Sequence, residues 1–257
     1  MKVGISSLYL ITRPFSYLVR KIPELETNFI EIIDDGLHEI NKLRAQALKK
    51  LAKDYGLEYS VHAPFADINL ASFNSSIRRA MLKRLEKSLN YASMIEAKVW
   101  VFHPGTRTGL TYFYPDKEWK NNLEAAKHLL KLANKQNVKI AIENLPSPYP
   151  LLMRTVEDFI RFYKEAPKEI GITLDIGHAN LNGQIELFLE RFHDRIVHIH
   201  ASDNDGKNDL HWGIGEGTIN WNSVCQKIRE VGFNGSIVVE SIQNAEESLK
   251  RLKKLLS

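Results

Sequence analysis

Nine residues of metal-holding types stand out by the motifs around them: His62, His103, Glu143, Asp175, His178, His200, Asp209, His211 and Glu240. They sit in short motifs, VHAPF, FHPG, IENLP, LDIGH, HIHASD, DLHWGIGEG and VVES, none of which carries a Lys or Arg. Carboxylates gathered without a cation repel one another, so such a group implies a bound divalent ion as its counter-charge. A mixed imidazole and carboxylate set suits Zn²⁺, Mn²⁺ or Fe²⁺ better than Ca²⁺ or Mg²⁺. The expected cofactor is therefore a divalent metal, Zn or Mn first, with one to three ions. Taken singly, each histidine reads as a hydrogen-bonded structural residue. Nine donors at one end of one fold read as a site.

The elements that must bring them together are short β-type runs at residues 2–9, 29–34, 58–63, 98–103, 139–143, 170–175, 196–200 and 236–242. Helical periodicity fills the intervals at 41–55, 75–95, 117–136, 155–166 and 221–231, and again at 245–256 after the last strand. Successive strand starts lie about 26–41 residues apart, the length of a β-α-β unit. Eight such units predict an α/β fold of the (β/α)8 TIM-barrel type, in one domain spanning 1–257. A flavodoxin-like open sheet is the structural alternative. Thr155 with Asp158 predicts a capping box, and Gly56 and Gly232 predict helix stops.

Side chains alternate between the faces of a strand, which places Glu143 with small Ala141 toward the barrel axis. The same count turns His62, His103, Asp175, His200 and Glu240 inward. Strand carboxyl ends converge on one mouth in this fold, so distance in sequence becomes proximity in space. His178 follows Asp175 by three residues, and Asp209 and His211 are expected on one face of an extended loop. Glu31, His198 and Asp203 read as polar support for these groups.

Composition narrows the setting. The chain has 257 residues, 35 Lys+Arg against 31 Asp+Glu, and a single Cys. A net charge of +4 lacks the dense basic footprint of a nucleic-acid binder. One cysteine excludes an internal disulfide framework and suits a cytoplasmic location. The opening VGISSLYLI imitates a weak leader but is interrupted by Ser6 and Ser7, and reads as the first strand. No run is long enough to span a bilayer, so no membrane partner is expected. Arg78, Arg79, Lys83, Arg84 and Lys87 read as a solvated helix face. Tyr112, Phe113, Tyr114 and Trp119 read either as an aromatic lid or as a packed loop.

In this order and at these strand ends, the motifs resemble the xylose-isomerase-like TIM-barrel superfamily, also called the family-2 AP endonuclease fold, over essentially the whole chain. The resemblance to its sugar isomerases and epimerases implies one metal on Glu143, Asp175, His200 and Glu240. It further implies that Glu143 and Glu240 remove and return a proton, that His178 orients a hydroxyl, and that the substrate is a small sugar, sugar phosphate or polyol. The resemblance to endonuclease IV implies two further ions, one on His62, His103 and Glu143, and one on His178, Asp209 and His211. That alternative is a phosphodiesterase with nucleic acid as its partner. His211 stands where characterised epimerases tend to carry a substrate-binding Arg. The compact loops, among them LPSPYPLL without a basic residue, resemble the isomerase branch more than the nuclease.

Overall fold

A computed structural model describes residues 1–257. Eight parallel strands close into a barrel in sequence order: β1 (Lys2–Ser6), β2 (Phe29–Ile33), β3 (Glu58–His62), β4 (Trp100–Phe102), β5 (Ile140–Glu143), β6 (Gly171–Asp175), β7 (Ile196–Ala201) and β8 (Ser236–Val239). The TIM-barrel expectation holds, and the open-sheet alternative fails because β8 pairs with β1, Lys2 opposite Ser236. Nine helices connect and cover the strands: α1 (Phe15–Lys21), α2 (Lys42–Tyr55), α3 (Ser75–Met94), α4 (Lys117–Gln136), α5 (Val156–Glu165), α6 (Ile176–Asn180), α7 (Ile185–Phe192), α8 (Trp221–Glu230) and α9 (Ala245–Leu256). None is long and apolar enough to cross a membrane.

The alternation of each strand divides the interior into two environments. In β2, Ile30 and Ile32 face outward into the main core between sheet and helices, while Phe29, Glu31 and Ile33 lie outside that cluster, toward the axis. Inside the barrel a small separate apolar cluster is formed by Val99, Val101 and Ala141. Buried polar groups, Glu31, Ser60, Thr173 and His198, take the rest of the axis. Polar atoms in such a place need partners. Ser60 and His198 both bond to Glu31 Oε2 beneath the site, whereas Thr173 Oγ1 has no partner.

Local signals are used as the sequence implies. Thr155 and Asp158 form a reciprocal capping box on α5, and Gly56 ends α2 at φ 64, a left-handed conformation that favours glycine. Three features depart from expectation. β1 stops at Ser6 because the Ser6 hydroxyl accepts the Leu8 N–H and tightens Ser7–Leu10 into a 3-10 turn. α1, α6 and α7 are additional helices of at most eight residues, too short for a periodic signature. The basic face of α3 is not wholly solvated: Arg84 reaches the buried Asp34 carboxylate at 3.0 Å.

Candidate metal centre

The strand ends deliver the donors. His62, Glu143 and Asp175 are the last residues of β3, β5 and β6, and His200 is the fifth of β7, in register with Asp175. His103 and Glu240 fall one residue beyond β4 and β8, where sequence had placed them within the strands. The Asp175 carboxylate caps α6 by accepting the His178 N–H at 2.7 Å through Oδ1. Its Oδ2 is thereby left without a hydrogen-bond partner. The loop after β7 brings in Asp209 and His211, but it is not simply extended: His211 adopts φ 46. A non-glycine residue there is strained, a feature that collects at functional sites.

The nine donors converge as three groups: Glu143, Asp175, His200 and Glu240; His62, His103 and Glu143; and His178, Asp209 and His211. Glu143 belongs to two of them. Its Oε1 lies 3.3 Å from His200 Nδ1. Its Oε2 lies 3.3 Å from both His62 Nε2 and His103 Nε2. His200 Nδ1 is 3.2 Å from Glu240 Oε2, and Asp209 is 3.3 Å from His178 Nε2 and 3.5 Å from His211 Nε2.

These contacts look like ion pairs by distance but several are not hydrogen bonds. Glu143 Oε2, Asp175 Oδ2 and Asp209 Oδ1 are buried and unpartnered. Bonds of about 2.0–2.1 Å to one tetrahedral ion set its ligand atoms about 3.3–3.4 Å apart. The separations of 3.2–3.5 Å match that edge length, with Asp175 Oδ2 standing further off, 3.9 Å from His200 Nδ1, so the residues fit divalent ions.

Ring orientation agrees. His62 Nδ1 faces the Ala63 carbonyl at 2.8 Å, His178 Nδ1 the Asn144 carbonyl at 2.8 Å and His211 Nδ1 the Glu240 carbonyl at 3.0 Å. A carbonyl only accepts, so in each ring Nδ1–H donates and the Nε2 lone pair is free for a metal. His200 is reversed: Nε2 donates to Glu31 Oε2 at 3.4 Å, leaving Nδ1 for the quartet.

The sequence profile of xylose isomerase-like TIM barrels matches residues 19–255. The chain belongs to this family. Within it, the chain is 34% identical to an uncharacterized protein of Methanocaldococcus jannaschii, over all of this chain and 89% of that one. A solved structure described as a D-tagatose 3-epimerase-like protein superposes with a TM-score of 0.94 at 34% identity, covering 100% of this chain and 97% of the other. The D-psicose 3-epimerase of Ruminiclostridium cellulolyticum is 24% identical over 88% of this chain and 78% of its own.

Without an ion, the family member's centre balances charge with protons. Burial alone pushes His178 down, but Asp175, Asp209 and Glu143 together outweigh it and lift its pKa to about 10. His211 rises to about 9, again against burial, through Asp209 and Glu240. His200 is raised well above its usual value by Glu240, Glu31 and Glu143, which overcome its burial. Burial lifts Asp175 to about 6, with Glu143 and Glu240 adding to it. Burial would lift Glu143 too, but His200 and His103 hold it well below the carboxylate range.

A pocket of about 330 Å³ opens over these groups and is lined by seven of the nine donors. Tyr112, Phe113 and Tyr114 do not line it and are exposed, and Trp119 is buried under Arg161 at 4.1 Å, so the aromatic segment forms no lid. A larger depression, about 740 Å³, lies among Lys98, Lys139 and Glu169 where strands begin. In barrels of this type that end serves stability, and chemistry belongs to the other.

Sequence reasoning set aside Glu31 as mere support, and it missed Asn144. Asn144 clamps the ends of β5 and β6: its side chain accepts the Asp175 N–H at 2.7 Å and donates to the Asp175 carbonyl at 3.0 Å. The alternation Phe29, Glu31, Ile33 was a readable signal for Glu31. Nothing in the sequence pattern marks Asn144.

Proposed function

We propose that this chain is a divalent-metal-dependent isomerase or epimerase of a small sugar, sugar phosphate or polyol-like substrate. The supporting observation is that Glu143 and Glu240, on β5 and beyond β8, line one small pocket and share one donor quartet. An ion held by Glu143, Asp175, His200 and Glu240 supplies Lewis-acid polarisation of a carbonyl and its neighbouring hydroxyl. The two carboxylates, reaching the pocket from β5 and from beyond β8, are the acid-base pair of this reading. One removes the proton from the carbon beside the carbonyl, and the other returns a proton to that carbon from the opposite face. His178, with Nδ1–H fixed on the Asn144 carbonyl, presents Nε2 to the pocket and orients a substrate hydroxyl. Epimerases among the relatives support the same reading.

The two further donor groups favour a second reading, a phosphodiesterase with three ions that acts on nucleic acid. The compact mouth argues against it, because no Lys or Arg lines the pocket to anchor a phosphate backbone. Proton exchange in heavy water, followed on a panel of ketoses, aldoses and their phosphates with Zn²⁺- or Mn²⁺-loaded protein, tests the choice. A labelled duplex carrying an abasic site is assayed beside it. Exchange that disappears in Glu143→Gln and Glu240→Gln supports the isomerase. Strand cleavage that disappears in Glu240→Gln, with no exchange on any sugar, replaces it with the hydrolase.

A further inference from the structure

The pocket separates its polar and apolar lining completely. Of its 13 residues, the seven polar ones are all metal donors of the floor. The other six, Leu8, Phe65, Leu145, Pro146, Leu151 and Ile242, form the walls, and no Ser, Thr, Asn, Gln, Lys or Arg is among them. They come from the segments after β1, β3, β5 and β8, so the wall rises on several sides rather than as one patch. Ile242 is 53% exposed at the rim. A large apolar side chain left wet at the edge of a pocket gains when a ligand covers it.

Such a wall discriminates by chemistry. A hydroxyl seated against it gives up water and finds no partner, a loss on the order of tenfold or more in affinity for each group. A methylene in the same place gains about fourfold. A distal phosphate meets no cation.

We infer that the substrate is a small amphiphile: a compact chelating head, such as a hydroxyl beside a carbonyl, and a carbon end without hydroxyls or charge. The head takes all its polar recognition from the floor, and the carbon end lies against Leu8, Phe65, Leu151 and Ile242. Within the small-sugar class of the proposed reaction this means a deoxy sugar whose far end lacks hydroxyls, rather than a fully hydroxylated or phosphorylated one. The inference rests on the reading of the floor as a metal centre.

Hydroxamates test it, since they carry one chelating head on any tail. Calorimetry on Zn²⁺-loaded protein compares acetohydroxamate, butanohydroxamate, hexanohydroxamate and the polyhydroxylated gluconohydroxamate. Affinity is expected to rise about fourfold per methylene along the alkyl series until the pocket is full. Gluconohydroxamate is expected to bind at least tenfold more weakly than hexanohydroxamate. Ile242→Asn and Leu151→Asn are expected to abolish the gain with tail length, with the metal content of each variant measured to show an intact centre. A flat series, or gluconohydroxamate binding as tightly as hexanohydroxamate, overturns the amphiphile. Failure of every hydroxamate to bind overturns the metal centre beneath it.

Discussion

His200 and Glu31 meet at the bottom of the site, Nε2 lying 3.2 Å from Oε1 with both side chains fully buried. Glu31 is itself held by His198 Nε2 at 2.9 Å and by the Ser60 hydroxyl at 3.1 Å, and His198 is tied on to the Ser236 hydroxyl at 2.7 Å. Burial would raise the Glu31 pKa, but the charges of His200 and His198 hold it well below the usual range. It is therefore an anion that accepts His200 Nε2–H and leaves Nδ1 as the donor toward Glu143 and Glu240. Glu31 Oε2 takes the hydrogen bonds of His198, Ser60 and His200, whereas Oε1 accepts none.

Glu31→Gln is expected to lower metal affinity at the quartet about 10- to 100-fold, the usual cost of losing the group that fixes a ligand's tautomer. Nitrogen NMR of the metal-free protein supplies the second readout: the pKa of the His200 ring, held up in part by the Glu31 charge, should fall in the variant. Unchanged affinity together with an unchanged spectrum would show that Glu31 only fills space.

His62→Ala with His103→Ala should remove one ion and leave the quartet loaded, because the two rings contribute to a different group and meet the quartet only at Glu143. Metal counting by mass spectrometry on protein saturated with Zn²⁺ reads the result. If the count equals that of the parent chain, the two histidines are not ligands, and the second donor group is discarded.

The centre also sets a pH dependence. In metal-free protein His211 and His178 titrate at about 9 and 10, above the ~6.5 of an unfolded imidazole. Their charged forms therefore stabilise the fold fully below about pH 6.5, and that contribution is lost as pH rises through both values. Asp175, raised to about 6, acts at lower pH: its ionisation costs stability from about pH 4 upward and is complete before the histidines begin to titrate. An ion needs the rings neutral. Between about pH 6 and pH 8.5 the gain in Tm on adding Zn²⁺ should grow, and binding should release protons, seen by calorimetry in buffers of different ionisation enthalpy. A gain that stays constant across that range would exclude His178 and His211 as ligands.

How much of this was legible in the sequence depended on the scale of the signal. The barrel followed from eight repeats of one unit, and the inward donors from a period of two, which needs only a few residues to read. What escaped was set by tertiary contact. Asn144 matters because β6 happens to end opposite its side chain, and His211 reaches Asp209 through a left-handed backbone that no side-chain count reveals. Glu31 was visible as an inward carboxylate, but its partner His200 lies 169 residues away across the barrel. Only closure of the sheet brings them together.

Asp203 provides the test of how the third donor group is held. Its fully buried carboxylate accepts four N–H groups: Asn204 at 2.9 Å and Ile219 at 3.2 Å on Oδ1, Gly215 at 2.9 Å and the Trp221 indole at 2.9 Å on Oδ2. These bonds fold the glycine turn back on the strand that delivers His200. The turn is tight enough that a Cβ on Gly217 would sit 2.1 Å from the Asn204 carbonyl oxygen. Asp203→Ala strands four donors, each worth about 1–3 kcal/mol when buried and unsatisfied, and water entering the gap recovers part of that. The expected net loss is about 3–5 kcal/mol in denaturant unfolding. Asp203→Asn keeps one acceptor oxygen and should lose roughly half as much. Because Asp209 and His211 lie between Asp203 and the turn, the Ala variant should also bind one ion fewer under conditions where it remains folded. A variant that loses stability but keeps every ion would show that the Asp209–His211 loop is positioned by its own contacts, chiefly the His211 ring on the Glu240 carbonyl.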